Sequence, residues 1–287
     1  MSAAQNTHDA RAAIVLALLV GLAGCSRLET PKVTPLVVRL RVSADAATLP
    51  LMNALTAAYA TQHPNVIFTV QPGNAQTCAD AIYNRQADIA LVSLLPARVQ
   101  GREPPWVADL AMDAVVVVVN PANPLASLSM SELRNIYAGV NNRWSDLGVV
   151  GLDDIEAAVR EEGDGTRAMF DSAVMGNTRL TLSAIVLPAV DVMLNFVAIQ
   201  PNTIGYVPSA RITSTVTPAV KVLAIDGQMP TQSAIGSSAY PLTRILNLIA
   251  LGEPQGELRQ FVAWMLGAQG QAVVKLMNYA PINGAQP

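Results

Sequence analysis

The sequence predicts an α/β protein. Strand-like and helix-like segments alternate over nearly the whole chain, the pattern of α/β architecture. Residues 114–120 form an apolar run closed by Asn120, as expected of a strand in a sheet covered on both faces. Hydrophobic residues make up 51% of the chain and charged residues 14%, so a sizeable core can form, and 287 residues suffice for two domains or one large one.

The elements follow in order. Residues 37–42 are short and rich in valine, hence a strand. Pro50 stands where a helix begins, and Leu51, Met52, Leu55, Ala58 and Tyr59 recur at helical spacing. Residues 66–71 read as a strand ended by Pro72-Gly73, residues 77–84 as a short helix and residues 89–92 as a strand. Ser129 with Glu132 forms a capping box for a helix that runs to about Tyr137 and stops at Gly139. Strands are predicted over 155–159, 204–207, 220–225 and 243–250, and helices over 166–175, 189–200, 255–266 and 269–277. In such folds ligands bind at the carboxyl ends of strands, beside helix N-termini.

The N-terminus carries a separate signal. Arg11 precedes an uncharged apolar run over 12–22, and Leu22-Ala23-Gly24-Cys25 closes it. This resembles a bacterial lipobox. The resemblance implies a signal peptide over 1–24, a lipid on Cys25 and a tether over 25–36, an anchor to the cell-envelope membrane rather than a span. Past this segment no apolar run approaches the roughly 20 residues a bilayer requires. Cys78, the other cysteine, then lacks a partner and reads as a small packed residue.

Several function classes fall away. A formal net charge of -3 does not suit nucleic acid, whose binders carry basic patches. A hydrolase needs a nucleophile with a base, or a metal cluster. The mature chain keeps only His63, read as a surface residue at the end of a helix, and no cluster has metal-ligand spacing. No catalytic residue, metal or cofactor is assigned.

Four segments together resemble the phosphate-binding proteins of bacterial ABC importers, which have the type II periplasmic binding protein fold. The first runs from the apolar strand through Asn120-Pro121-Ala122-Asn123-Pro124, a helix Leu133-Arg134-Asn135-Ile136-Tyr137-Ala138-Gly139, and Arg143-Trp144-Ser145-Asp146-Leu147-Gly148. The others are Arg160 with the loop Gly163-Asp164-Gly165-Thr166, then Asn202-Thr203-Ile204-Gly205-Tyr206-Val207, and Tyr240-Pro241-Leu242-Thr243-Arg244. The resemblance covers nearly all of 37–280. It implies two α/β lobes around a central cleft: lobe one over 37–117 and 222–287, lobe two over 118–221. It also implies a monomeric protein that captures phosphate or a related small oxyanion and delivers it to ABC permease subunits.

The resemblance assigns the candidate ligand residues Arg160, Gly163, Asp164, Gly165, Thr166, Asp88, Thr48 and Ser93. A guanidinium at Arg160 suits two phosphate oxygens. Gly163 and Gly165 would admit an anion close to the backbone of a helix N-terminus, and Thr166 adds a hydroxyl. Asp88 matches a carboxylate that accepts from protonated phosphate and so rejects sulfate. Departures from the family pattern bear on the ligand. Ser43 and Thr48 alone keep hydroxyls in the first loop, where Asp45 adds a negative charge, and an arginine usual after residue 93 is absent. Asp164 replaces a serine, and an ionised carboxylate cannot donate. Two arrangements are open to it: pairing with Arg160 or Arg167, or filling the anion seat at the helix N-terminus. The alternative to phosphate capture is a diverged member acting as a ligand sensor or envelope interaction protein.

Overall fold

The computed structural model describes residues 36–96, 101 and 103–282; the segments expected to be a signal peptide (1–24) and, up to residue 35, a lipidated tether lie outside the described residues. The first part alternates Val38–Asp45 (β1), Leu49–Gln62 (α1), Val66–Gly73 (β2), Ala75–Tyr83 (α2) and Ile89–Val92 (β3). The middle holds Trp106–Val119 (β4), Ser127–Leu128 (β5), Met130–Tyr137 (α3), Glu156–Arg160 (β6), Gly165–Phe170 (α4), Ile185–Leu187 (β7), Val190–Ile199 (α5) and Thr203–Pro208 (β8). The last part holds Lys221–Val222 (β9), Ala224–Ile225 (β10), Gln232–Gly236 (α6), Thr243–Ala250 (β11), Gly256–Leu266 (α7), Ala268–Leu276 (α8) and Ala280–Pro281 (β12).

One sheet follows the order β2-β1-β3-β11-β4-β8-β6-β7, with β9 and β12 also paired to β4. Its two flanks are parallel: β1 pairs β2 and β3, and β6 pairs β7 and β8. The centre is antiparallel, with β11 between β3 and β4, and β4 against β8. The parallel flanks come from the alternating segments of the sequence, because a parallel neighbour needs a crossover and the helices supply it.

Two hydrophobic cores lie along this sheet. One gathers Leu40, Leu55, Tyr59, Leu248, Phe261 and Tyr279. The other gathers Trp144, Phe170, Met193, Tyr206 and Tyr240. Strand β4 serves both: Leu110 and Ala111 belong to the first core, and Val115 to Val119 to the second. This is the two-lobed α/β architecture expected from the sequence.

Local differences have physical reasons. Strand β4 begins at Trp106, well before residue 114, because its first residues alternate half-buried and exposed positions and pair with β11. The helix predicted over 166–175 is α4 followed by a π-helical turn over Asp171–Met175. The strand predicted over 220–225 is two short ones, β9 on β4 and β10 on β5. Helix α2 starts at Ala75 because Asn74 caps it, accepting from the Thr77 N–H at 2.8 Å. The capping box at Ser129 and Glu132 forms, with Glu132 accepting from the Ser129 N–H at 2.8 Å. No described helix is long and apolar enough to cross a membrane.

Candidate functional site

Strands β1 and β3 are parallel neighbours, so their carboxyl ends lie side by side. Asp45 closes β1 and Ser93 follows β3. The Asp45 carboxylate is buried and organises the turn into α1. Its Oδ1 accepts from the N–H of Ala47 at 3.1 Å and of Thr48 at 3.0 Å. Its Oδ2 accepts from the Ser93 N–H at 2.6 Å and the Ser93 hydroxyl at 2.7 Å. Thr48 Oγ1 lies 2.7 Å from the Leu91 carbonyl and 3.0 Å from Asp45 Oδ1.

A second turn has the same form. Strand β6 ends at Arg160, the chain reverses through Gly163 at φ +85°, and Asp164 caps α4. Asp164 Oδ1 accepts from the N–H of Thr166 at 2.9 Å and of Arg167 at 3.0 Å. Its Oδ2 accepts from Arg160 Nη2 at 3.0 Å, and each side chain of this pair is only 4% exposed. Asp164 therefore pairs with Arg160 without leaving the backbone N–H groups of the helix start free, because its other oxygen accepts from them. Arg160 is fixed further by Nη1 donating to the Leu187 carbonyl at 2.8 Å and by its N–H donating to the Tyr206 hydroxyl at 3.2 Å. Arg160 Nε and Thr166 Oγ1 are buried without a hydrogen-bond partner.

The two turns meet at Gly165. A Cβ there would lie 2.2 Å from Ser93 Oγ and 3.5 Å from Asp45 Oδ2, so the missing side chain is what lets the loops touch. Arg244, on β11, ties the contact: Nη1 donates to the Gly165 carbonyl at 3.1 Å, and Nε and Nη2 donate to Asp113 Oδ2 at 3.2 and 2.7 Å. Ser209 donates to Asp113 Oδ1 at 2.7 Å. Burial alone would lower the Arg244 pKa, but Asp113, with Asp45 and Asp164 adding, holds it above the ordinary arginine value. Three buried carboxylates, Asp45, Asp113 and Asp164, thus face two buried guanidinium groups, Arg160 and Arg244.

The structure brings Arg160, Gly163, Asp164, Gly165, Thr166, Thr48 and Ser93 together. It does not bring Asp88 to them. Asp88 precedes β3 and so lies at the amino end of that strand, opposite Ser93. There it accepts from the Arg41 N–H at 2.7 Å and Arg41 Nη2 at 2.6 Å, on the surface. The carboxylate from this flank that does reach the contact between the two turns is Asp45, which enters the sequence analysis only as an added charge. Its signal was an aspartate between a strand and a helix start, where the side chain can accept from the N–H two residues on, here that of Ala47. Asp113 and Arg244 were missed as well, although both sit in segments that carried the family resemblance. Cys78 is packed in a small core with Ile82 and Val92, and burial pushes its thiol up to about 11, with Ser43 donating to Sγ at 3.2 Å. Among the described residues no cluster of His, Cys, Asp and Glu could hold a metal ion.

A family model described as a PBP superfamily domain matches residues 26–269. The chain belongs to the PBP superfamily. Members of this superfamily are substrate-binding proteins that work outside the cytoplasm. This member is 31% identical over 174 residues to phosphate-binding protein PstS 2 of Streptococcus agalactiae, covering 56% of this chain and 57% of that protein. The match therefore spans little more than half the length of that relative. It is 26% identical over 261 residues to phosphate-binding protein PstS of Pseudomonas aeruginosa, covering 81% and 79% of the two chains. Among solved structures it is similar to a Clostridium perfringens substrate-binding protein with bound phosphate, at a TM-score of 0.75, 21% identity and 85% and 100% coverage. It is also similar to an ABC-type phosphate transport receptor from Vibrio cholerae, at a TM-score of 0.72, 22% identity and 84% and 98% coverage.

Proposed function

We propose that this PBP superfamily member captures a small oxyanion, phosphate or a close relative, and delivers it to ABC permease subunits. Lobe one comprises residues 37–117 and 222–287, lobe two residues 118–221, and the ligand enters between the turns at Asp45 and Asp164. Occupancy favours the closed form, which a permease can read. The protein acts as a monomer and carries out no catalysis. A lipid on Cys25 holds it to the membrane on the extracytoplasmic side.

The observation that carries the oxyanion reading is the pair of partnerless buried donors, Arg160 Nε and Thr166 Oγ1, on the turn that resembles the phosphate-binding family. A buried donor without an acceptor is costly, and an anion is the acceptor that would satisfy both. Calorimetry against phosphate, sulfate, molybdate and small organic anions tests it. Thr166→Val is the sharp variant, because it removes a hydroxyl that has no partner in the ligand-free protein. It should weaken anion binding by about 0.5–1.5 kcal/mol and leave ligand-free stability unchanged. An unaltered affinity would place the ligand elsewhere.

A second reading is supported by Asp45 and Asp164, which already occupy the N–H groups of both turns. On that reading phosphate capture is lost, and the protein serves as a sensor or envelope interaction protein. Absence of binding to all four anion classes selects it. The anchor has its own test: Cys25→Ser should leave the membrane fraction or accumulate as uncleaved precursor, and a variant still membrane-bound after high-salt washing removes the lipid from the proposal.

A further inference from the structure

A larger cavity lies away from the two turns. It is partly open and has a volume of about 710 Å³, within the range of sites for drug-sized ligands. Val116, Ile212, Val220, Val222, Met229 and Ile235 give it apolar walls. Its lining contains a single charged residue, Lys221, and no carboxylate. Among the described residues no carboxylate forms an ion pair with Lys221; its ammonium donates to the Asn123 carbonyl, which leaves two N–H groups and the full charge to satisfy. Burial lowers the Lys221 pKa, which is the cost of holding an unpaired ammonium partly out of water.

An apolar chamber with one unpaired positive charge has a definite complement. We propose that this cavity is a second binding site, for a small amphipathic monoanion: a carboxylate on an extended apolar body. The carboxylate pairs with Lys221 and the apolar body covers Val116, Ile212 and Val220. Transfer of the body from water supplies most of the attraction, and the charge pair selects anion over cation. A neutral ligand would leave Lys221 unpaired, and a cation would add a second positive charge against it. A dianion such as phosphate has no apolar body to bury and meets a single cation, so the two sites differ in ligand class. The inference does not rest on the oxyanion reading of the cleft.

The test uses the full chain and three ten-carbon probes: decanoate, 1-decanol and decylammonium. Calorimetry should show one decanoate per chain, bound at least tenfold tighter than either other probe. Lys221→Met should bring decanoate down to the affinity of decanol and leave decanol unchanged. Met229→Trp, at a half-exposed rim position, should fill the chamber and weaken both. Circular dichroism of each variant establishes that it is folded. Equal affinities for decanoate and decylammonium, no binding of decanoate, or decanoate binding indifferent to both substitutions would each overturn the proposal.

Discussion

The two turns that meet at Gly165 share one plan and differ in how they balance charge. At each, an aspartate accepts backbone N–H groups at the end of a parallel strand. Asp45 is held by uncharged donors alone, from Ala47, Thr48 and Ser93. Asp164 is also paired to a guanidinium, that of Arg160. The donors around Asp45 are used up, whereas Arg160 Nε and Thr166 Oγ1 beside Asp164 are not. The difference teaches where recognition can occur: an anion gains little at a turn whose donors already serve a carboxylate, and more at one with donors to spare.

The largest expected effect breaks the charged turn. Arg160→Ala leaves Asp164 buried without its cation and should destabilise the protein by about 3–5 kcal/mol in urea unfolding. Adding Asp164→Ser to it should return much of that loss, because the stranded charge goes too. No recovery in the double variant would mean that Arg160 acts through Leu187 and packing. Asp45→Ala should cost less, about 1–3 kcal/mol, since the donors it strands are neutral and Arg244 keeps its direct partner Asp113. A cost equal to that of Arg160→Ala would erase the distinction between the turns.

Affinity gives a smaller and sharper signal. Asp164→Ser frees Arg160 and removes repulsion while keeping a capping oxygen, and should tighten phosphate binding by at least about 1.4 kcal/mol, a factor of ten. Equal titrations of both forms in the same salt would show that Asp164 does not compete with the ligand. The smallest effect belongs to Asp88→Ala, which should leave phosphate affinity unchanged and shift the unfolding midpoint only slightly, as an exposed pair does. A clear loss of affinity there would return Asp88 to the site.

Much of this was legible before any coordinates. Alternation pointed to α/β architecture, Ser129 and Glu132 to a helix start, and Arg160 with Gly163 to Thr166 to one of the two turns. What escaped follows from strand polarity and long-range partners. Asp88 and Ser93 flank the same four-residue strand, yet only the residue after it reaches Asp45 and Gly165. Asp113 and Arg244 lie 131 residues apart, and no local pattern reports that two such side chains meet. The first half of β4 escaped because its exposed positions hide a strand whose pairing with β11 is decided by residues much further along.

Strand β4 and the closing helices have a consequence for synthesis. The core around Leu40 and Leu55 is completed by Phe261, Met265, Val274 and Tyr279, near the end of the described chain. A nascent chain that has made β1 to β3 therefore lacks these sealing residues until Phe261 to Tyr279 have been made, long after β3 ends at Val92. The core around Trp144 and Phe170 draws on residues up to Tyr240, Leu242 and Ala280, so neither half can mature early. The chain is expected to stay unfolded and chaperone-accessible through most of its elongation, then to fold in one late cooperative step. A truncation before residue 256 should then yield a protease-sensitive product lacking the core around Leu40 and Leu55.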